Sequence, residues 1–443
     1  MAEIKVPFHK AAITKKEEDA VLDVLRSGWL TTGKYALEFE KKFSEAVTEK
    51  SENDTPSTAA TENSSRPRTI SAAEVRANRE KLGLSNDSII SLAVNSNTSG
   101  MILAMEACGV KEGTAVITTP YTFVSTATCA RHLNADVFFA DVEADSYSID
   151  PNKIEEILKK DAEPNGYDGK GSHKVRAIVP VHIAGNVCNM EKIIELAQKY
   201  STPEHKIYVI EDAAHSFPSP TKLGYAGAIG DAGVFSFYVT KTITTAEGGM
   251  VCTRSPELAR RMTTMRMHGM DRTTWDRYTS PRASWEYDIV APGYKFNLPD
   301  VLAAIGCCQV DRAELFYEQR KRIVEKYNQA FSKLDFIQLP PDGPGNSWHL
   351  YLMRIIPEKL KITREEFAKK MQAAGLGISV HFIPIFHFTY WKELYKDFDA
   401  AHFPNAEKQY SRTISIPLFP DMTDEQTELV IKTVTQIGNE NHA

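Results

Sequence analysis

Two ionisable residues stand where the sequence makes a charge difficult to solvate. In VIEDAAH (209–215), Asp212 ends an otherwise apolar run, and a carboxylate buried at a strand end requires a cationic or hydrogen-bonding partner. Lys241 follows another apolar run within FSFYVTKTITTAEGGMV, in a loop rich in Thr and Gly. Each also has an ordinary interpretation, Asp212 as a helix N-cap or half of a structural ion pair and Lys241 as a surface charge.

A third feature could bind an anion. In AVNSNTSGMILAMEA (93–107) a predicted strand ends and Ser96, Asn97 and Thr98 open a helix, whose free N–H groups and dipole favour a phosphate. The same residues could equally be simple helix caps. Ser236, five residues before Lys241, could add a hydroxyl to the same anion.

Together these features match the needs of pyridoxal 5'-phosphate (PLP). A desolvated lysine has a lowered pKa and a free lone pair for imine formation. A carboxylate keeps the pyridine nitrogen of PLP protonated, so that the ring acts as an electron sink, and the helix turn holds the phosphate. The sequence therefore predicts a PLP site formed by Lys241, Asp212 and the turn at 96–98.

The sequence does not support a site for a dinucleotide, for ATP or for a metal ion. Gly227-x-x-Gly230-x-x-Gly233 resembles a dinucleotide loop, but it precedes a predicted strand instead of joining a strand to a helix. Neither a G-x-x-x-x-G-K-[ST] loop nor an H-E-x-x-H motif occurs. The six cysteines form no C-x-x-C pair and are predicted to be reduced core residues. We therefore expect no metal.

The elements that must position these residues alternate along the chain. Apolar runs separated by helical stretches predict a mainly parallel sheet covered on both faces, and they read SIISLAVN, TAVITT, ADVFFADV, KVRAIVPVH, KIYVIEDAA, GVFSFY and GMVCT. Ligands in such α/β sheets bind beyond the carboxyl ends of the strands. The prediction is a large α/β domain over 1–312, with an insertion at 48–87 whose Ser-, Thr- and Pro-rich part, 48–70, is expected to be flexible.

Residues 313–443 are predicted to form a smaller α+β domain. Its strands are predicted in WHLYLMRII and GISVHFIPIF, and its helices in ELFYEQRKRIVEKYNQAFSKL, TREEFAKKMQAAG and TDEQTELVIKTVTQIG. In the large domain, Thr14-x-x-Glu17 predicts a capping box and Asp150-Pro151 a helix start.

Composition limits the possible partners. With 52 basic and 58 acidic residues the net charge is -6, so no general basic field would attract nucleic acid or anionic lipid. The first residues lack the apolar core of a signal peptide, and no stretch is long enough to span a bilayer. The expected location is the cytoplasm.

The chain resembles a known family, the DegT/DnrJ/StrS-type sugar aminotransferases, which are PLP enzymes of fold type I. The matching strings are SGWLTTG, TTPYTFVSTA, PVHIAGN, EDAAH, GDAGVFSFYVTKTITTAEGGM, HGM, GYKFNLPD, SWHLY and ISVHFIPIF. The combination of HGM, GYKFNL, SWHL and SIPLFPDMTDE looks most like the branch that acts on UDP-4-keto-pentoses or related 4-keto-6-deoxy sugar nucleotides.

The resemblance implies roles for particular residues. Lys241 would be the Schiff-base lysine and proton carrier, Asp212 would pair with the pyridine nitrogen, His215 would lie near the ring oxygen, and Phe123 would stack on the ring. Phosphate contacts would come from Asn97, Thr98 and Ser236, and from Asn297 of the partner subunit in a homodimer. Weaker candidates for the substrate pocket are Trp29, Thr31, His182, Lys295 and His381. Position 97 is usually glycine in this family, so an altered phosphate fit is expected.

The implied reaction is ping-pong transfer of an amino group from glutamate or glutamine to a keto-sugar nucleotide, with a 4-keto sugar as the expected acceptor. A 3-keto sugar or a cyclitol ketone is an alternative acceptor. An alternative of another class is a non-catalytic PLP-binding regulatory protein, although the chain has no recognisable DNA-binding motif.

Overall fold

A seven-stranded sheet forms the centre of the computed structural model, which describes residues 4–48, 71–271, 286–396 and 398–443. Its strand order is β1-β9-β8-β5-β4-β2-β3. Strands β3, β2, β4, β5 and β8 pair in parallel, whereas β9 is antiparallel to both of its neighbours, β8 and β1. The predicted mainly parallel α/β fold is confirmed. The predicted flexible segment 48–70 lies almost wholly outside the described residues.

The strands are β1 (Ile90–Val94), β2 (Ala115–Thr118), β3 (Asp136–Phe139), β4 (Val175–Ile178), β5 (Tyr208–Asp212), β6 (Pro220–Thr221), β7 (Gly224–Tyr225), β8 (Ala232–Ser236), β9 (Gly249–Thr253), β10 (Ile337–Gln338), β11 (Tyr351–Ile355) and β12 (Thr413–Ile416). The helices are α1 (Lys15–Ser27), α2 (Lys34–Ala46), α3 (Ala72–Lys81), α4 (Asn97–Ala107), α5 (Ser125–His132), α6 (Pro151–Asp161), α7 (Met190–Tyr200), α8 (Pro256–Arg266), α9 (Asp300–Val310), α10 (Ala313–Phe331), α11 (Arg364–Ala373), α12 (Thr389–Leu394), α13 (Pro404–Arg412) and α14 (Asp424–Glu440).

Helices cover both faces of the large sheet. On one face α4, α5 and α8 pack against alternate residues of the central strands. On the other face α6 and α7 cover β2 to β5, while α2 covers the end formed by β1, β8 and β9. Because both faces are buried, the strands are mostly apolar, which is why they could be recognised as apolar runs in the sequence.

The helix-start signals operate as predicted. Asp150 caps α6, its carboxylate accepting from the backbone N–H of Asn152 at 2.8 Å. At α1, the N–H of Thr14 donates to Glu17 at 2.8 Å, as in a capping box. Ser96 caps α4 through the N–H of Ser99 at 3.1 Å, so the turn at 96–98 does open a helix.

The C-terminal part contains an antiparallel sheet of β10, β11 and β12 packed by α10, α11 and α14. The predicted strand in GISVHFIPIF is wrong. There, only Ser379 pairs with a strand, through a single bridge to Ser415 on β12, and the segment ends in a short 3-10 turn after Pro384, which has no N–H for a sheet ladder. The domain boundary at residue 312 stays a prediction.

Two further predictions concern burial and the membrane. All six cysteines are free thiols, and all but the half-buried Cys308 are buried. Within the described residues, no helix combines the length and the apolar character that a bilayer crossing requires.

Helix α4 packs directly against the sheet at Gly100. A Cβ at this position would stand 2.6 Å from Cγ1 of Val234 on β8 and 2.9 Å from Cγ2 of Val251 on β9. Any side chain would therefore push the helix, and the turn at its N-terminus, away from the strands.

We expect Gly100→Ala to lower the free energy of unfolding by about 1 to 3 kcal/mol through overpacking, measured by urea denaturation of the cofactor-free protein. Alanine favours a helix over glycine by about 1 kcal/mol, so helix propensity alone predicts the opposite sign. A variant at least as stable as the wild type would contradict this account of α4.

Candidate active site

A cavity of about 440 Å³ lies at the carboxyl ends of β5 and β8. Asp212 is the last residue of β5, and it stands beside Val234 in the parallel pairing with β8. After β8 the chain turns, with the N–H of Lys241 donating to the carbonyl of Tyr238 at 2.9 Å. Both Asp212 and Lys241 line the cavity, so the structure brings together the two residues that the sequence singled out.

Asp212 is held by several donors. The side chain is buried, and its Oδ2 accepts from the hydroxyl of Thr126 at 2.7 Å. Its Oδ1 accepts from the backbone N–H of Ala214 at 3.2 Å and from the amide of Asn97 at 3.4 Å. These donors stabilise a carboxylate with a fixed orientation in a site that has little access to water.

Lys241 has an unusual environment for an amine. Burial lowers its pKa to about 8, although the negative charge of Asp212 acts in the opposite direction. At pH 7 about a tenth of the amine is therefore uncharged, whereas an ordinary lysine is almost fully protonated. A free lone pair is what a nucleophilic amine needs.

Three histidines surround this amine without adding charge. Burial, followed by the nearby charge of Lys241, holds the pKa of His215 well below its usual range and lowers that of His381 to about 4. Burial, followed by the proximity of the titratable groups of His215 and Lys241, also lowers the pKa of His349. All three are neutral imidazoles at pH 7, and each lines the cavity.

The hydrogen bonds of His215 define its tautomer. Its Nδ1 accepts from the backbone N–H of Ala184 at 3.1 Å, so in the neutral ring the proton is on Nε2. The ring also stacks on Phe382 with centroids 5.7 Å apart. His215 therefore offers a single fixed N–H donor.

The anion end of the cavity is formed by the start of α4 and the end of β8. Ser96, Thr98 and Ser236 all line the cavity there, and the first backbone N–H groups of an 11-residue helix open at the same place. Asn97, which is also predicted to contact the phosphate, lines the cavity too, but its side chain is engaged elsewhere. Its amide nitrogen instead donates to Asp212 and to the carbonyl of Val234.

An aromatic ring lies exposed at the cavity. Phe123 is 58% exposed although it lines the cavity, and its ring lies 6.1 Å from that of Phe382. A large apolar side chain left uncovered in this way offers a face on which a planar ring could stack.

The predicted residues fall into two groups. Those that line the cavity are Asn97, Thr98, Phe123, Asp212, His215, Ser236, Lys241 and His381. Those that do not line it in this chain are Trp29, Thr31, His182, Lys295 and Asn297.

His182 is misplaced as a substrate residue. It is fully buried, with Nε2 3.0 Å from Glu211 and Nδ1 accepting from the N–H of Cys188 at 3.2 Å. Glu211 in turn accepts from the N–H groups of Gly227, Ile229 and Gly230, each at 2.8 Å. The glycine-rich loop before β8 is thus fastened to β5, and His182 supports that connection.

Sequence reasoning missed several residues at the cavity. They include Phe8, Tyr238, Glu247, His349 and Phe382, which line it, and Thr126, which holds Asp212. His349 lies within the quoted string SWHLY, but nothing in its local pattern distinguished it. Phe8 comes from the N-terminal segment and stacks on His381 at 5.6 Å, a contact that no local sequence signal could predict.

The residues present fit PLP. The cavity holds a free amine for covalent attachment, an oriented carboxylate for a pyridinium N–H, an exposed aromatic face, and hydroxyls at a helix N-terminus for the phosphate. In the described part of the chain, no group of three His, Cys, Asp or Glu side chains could hold a metal ion.

Comparison with known proteins agrees with this geometry. The sequence profile described as the DegT/DnrJ/EryC1/StrS aminotransferase family matches residues 80–435. The spore coat polysaccharide biosynthesis protein SpsC of Bacillus subtilis is 34% identical over 435 residues, which cover 98% of this chain and 97% of SpsC. The uncharacterized protein MJ1066 of Methanocaldococcus jannaschii is 34% identical over 438 residues, 98% of each chain.

Solved structures share the fold over nearly the whole chain. The putative sugar aminotransferase Spr1654 from Streptococcus pneumoniae, in its PMP-form, has a TM-score of 0.80 and 26% identity, with 98% of this chain and 100% of that chain covered. Its PLP-form has a TM-score of 0.78 and covers 98% of this chain and 99% of that chain. Helicobacter pylori PseC, at 23% identity and a TM-score of 0.76 over 98% of this chain and 99% of that chain, shares the fold.

The buried amine should be measurable as a cost to stability. Because folding lowers the pKa of Lys241 from 10.5 to about 8, the folded state disfavours the proton that the unfolded state keeps. We expect cofactor-free Lys241→Met to be more stable than the wild type at pH 7, by roughly 1 to 3 kcal/mol.

The sign of the pH dependence is fixed by the same argument. Between about pH 8 and 10.5 the unfolded wild type binds one proton more at this site, so its stability rises with pH and the advantage of Lys241→Met shrinks. Urea denaturation of both proteins from pH 6 to 10 measures the difference. A difference independent of pH would contradict a lowered pKa.

Proposed function

The chain belongs to the DegT/DnrJ/EryC1/StrS aminotransferase family, and from that membership we propose that it transfers an amino group from glutamate or glutamine to a 4-keto-sugar nucleotide. The protein is a PLP-dependent sugar transaminase. The observation that supports the proposed chemistry best is the placement of Lys241 and Asp212 in one cavity at neighbouring strand ends.

When bound, PLP supplies an electron sink for breaking and forming bonds at the substrate carbon. The Nζ of Lys241 holds the cofactor and then serves as the general base and acid. In the first half-reaction it would move the proton from the α-carbon of the amino donor to C4' of the cofactor, and in the second it would move a proton from C4' to the sugar carbon that receives the amine. A pKa of about 8 suits both tasks, since it lies near the operating pH.

The other cavity residues orient the cofactor and the substrate. The carboxylate of Asp212 would accept a hydrogen bond from the pyridine N–H, and the Nε2–H of His215 would donate to the ring oxygen. Phe123 covers one face of the ring, while Thr98 and Ser236 donate to the phosphate. His381 is proposed as a substrate contact, because it lines the cavity and its Nδ1 is fixed 2.8 Å from the hydroxyl of Ser415.

Four of the predicted residues outside the cavity, Trp29, Thr31, Lys295 and Asn297, lie on one surface, which supports a role in a partner subunit's site. The amide of Asn297 donates to the hydroxyl of Thr32 at 2.7 Å, and the indole N–H of Trp29 donates to the carbonyl of Thr32 at 3.1 Å. Lys295 contacts Asn297 directly, and the carbonyl of Thr31 accepts from the N–H of Asp300 at 3.3 Å.

Residues far apart in the sequence thus meet on a surface outside the cavity of their own chain. We propose a homodimer in which this surface, with Asn297 at the phosphate and Trp29, Thr31 and Lys295 toward the sugar nucleotide, completes the cavity of the other subunit. A symmetric dimer would complete both cavities with the same contacts.

The substrate proposal is tested with a panel of keto-sugar nucleotides and ¹⁵N-labelled glutamate and glutamine, followed by mass spectrometry of the products. We expect label in the 4-keto acceptors and a loss of at least about a thousandfold in Lys241→Ala and Lys241→Arg, because neither variant offers a neutral amine. Lys222→Ala, a surface lysine with its side chain 59% exposed, is the matched control and should retain activity.

Transfer to a 3-keto sugar or a cyclitol ketone instead would overturn the assignment of the acceptor and leave the cofactor chemistry intact. Undiminished turnover by Lys241→Ala would show that this lysine is not the catalytic amine.

Sharing of the site is tested by mixing two inactive variants, Lys241→Ala and Asn297→Ala, under conditions that exchange subunits. In a shared site the mixed dimer has one cavity with both residues intact, so the mixture should recover about a quarter of wild-type activity. If both residues served the same subunit, mixing would restore nothing.

A further inference from the structure

The side chain of Asn97 lies between the two strands that carry the active site. It is buried at the first position of α4, and its Nδ2 donates to the carbonyl of Val234 on β8 at 3.0 Å and to Oδ1 of Asp212 on β5 at 3.4 Å. An amide nitrogen has two protons, so both are used by these two acceptors. The strand carbonyl fixes the amide, and the amide in turn contacts the carboxylate.

These contacts leave Asn97 unsuited to a phosphate. With both protons of Nδ2 occupied, the side chain can offer only its Oδ1, which is an acceptor, whereas a phosphate requires donors. The helix N-terminus still provides its backbone N–H groups, and Ser96, Thr98 and Ser236 supply hydroxyls. This chain therefore offers donors to the phosphate without the Asn97 side chain.

Asn97 differs from the other donors to Asp212 in the elements that it connects. Thr126 holds Oδ2, and the N–H of Ala214, two residues along the same chain segment, holds Oδ1. Asn97 comes from a different element, α4, and it is also bonded to β8. It therefore ties the position of the carboxylate to the helix and to the strand that leads to Lys241.

We propose that Asn97 is a positioning residue that orients the Asp212 carboxylate toward the pyridine nitrogen, and that its side chain takes no part in phosphate binding. This inference rests on the proposed function, because the partner of Asp212 is the ring of PLP.

The experiment compares the binding of PLP and of pyridoxal, which lacks the phosphate, to the cofactor-free full-length protein by absorbance titration. Asn97→Gly removes the amide and is expected to weaken both ligands by a similar factor, about three- to tenfold, which is the net contribution of one ordinary hydrogen bond. Ser236→Ala is the control for the phosphate seat, and it should weaken PLP while leaving pyridoxal unchanged.

Asn97→Asp separates positioning from a merely structural role. Aspartate is favoured at a helix N-terminus, so a structural role for residue 97 predicts a benign substitution. The positioning role predicts that this variant binds both ligands more weakly than Asn97→Gly, since it replaces a donor by a second carboxylate beside Asp212. Thermal unfolding of the cofactor-free variants reports whether α4 is still formed.

Each outcome has a distinct meaning. If Asn97→Gly weakened PLP alone, the side chain would be a phosphate ligand and the inference would be wrong. If neither substitution changed pyridoxal binding, or if Asn97→Asp bound as well as the wild type, the positioning role would be refuted. Wild-type protein that bound neither PLP nor pyridoxal would instead refute the proposed cofactor site.

Discussion

Strands β5 and β8 are hydrogen-bonded neighbours that run in the same direction, and this pairing brings a carboxylate and an amine to one cavity. Asp212 ends the first strand, and Lys241 follows the second after a short turn. In an antiparallel pair, the same two residues would lie at opposite edges of the sheet. The chemistry of the protein depends on this parallel register more than on any single contact.

Several structures outside the cavity serve to maintain that register. Glu211, the residue before Asp212, is bonded to three N–H groups of the loop that enters β8 and to His182. On the cavity side, α4 packs against β8 and β9 without an intervening side chain at Gly100. Glu211 thus fastens β5 to the loop that enters β8, and α4 packs on β8 from the opposite face, so that the cavity residues are held on a rigid support.

The electrostatics of the cavity follow from burial. Neutral imidazoles at His215, His349 and His381 surround Lys241, and burial lowers the pKa of each of these four side chains. An amine whose pKa is about 8 exchanges its proton readily near neutral pH, so Lys241 is prepared to act as nucleophile, base and acid. The stability lost by burying the amine is the counterpart of that reactivity.

Much of this could be predicted from the sequence, for identifiable reasons. Buried parallel strands are mostly apolar, and Asp212 and Lys241 stood out because they interrupt or follow such runs. Phe8 and His349 could not be found, because they reach the cavity through tertiary packing. The position of Asn97 at the start of a helix could be predicted, whereas the direction of its side chain toward Asp212 and Val234 could not. His182 was misassigned, since its motif lies near the cavity but its ring points into the core.

The most direct test of the central claim is to find the lysine that holds the cofactor. Borohydride reduction of the PLP-loaded protein, followed by protease digestion and mass spectrometry, locates the covalently fixed cofactor on a single peptide. The structure predicts modification of Lys241 in the peptide that follows β8. A modification confined to another lysine would contradict the account, because Lys241 is the one lysine among the described residues that line the cavity with Asp212.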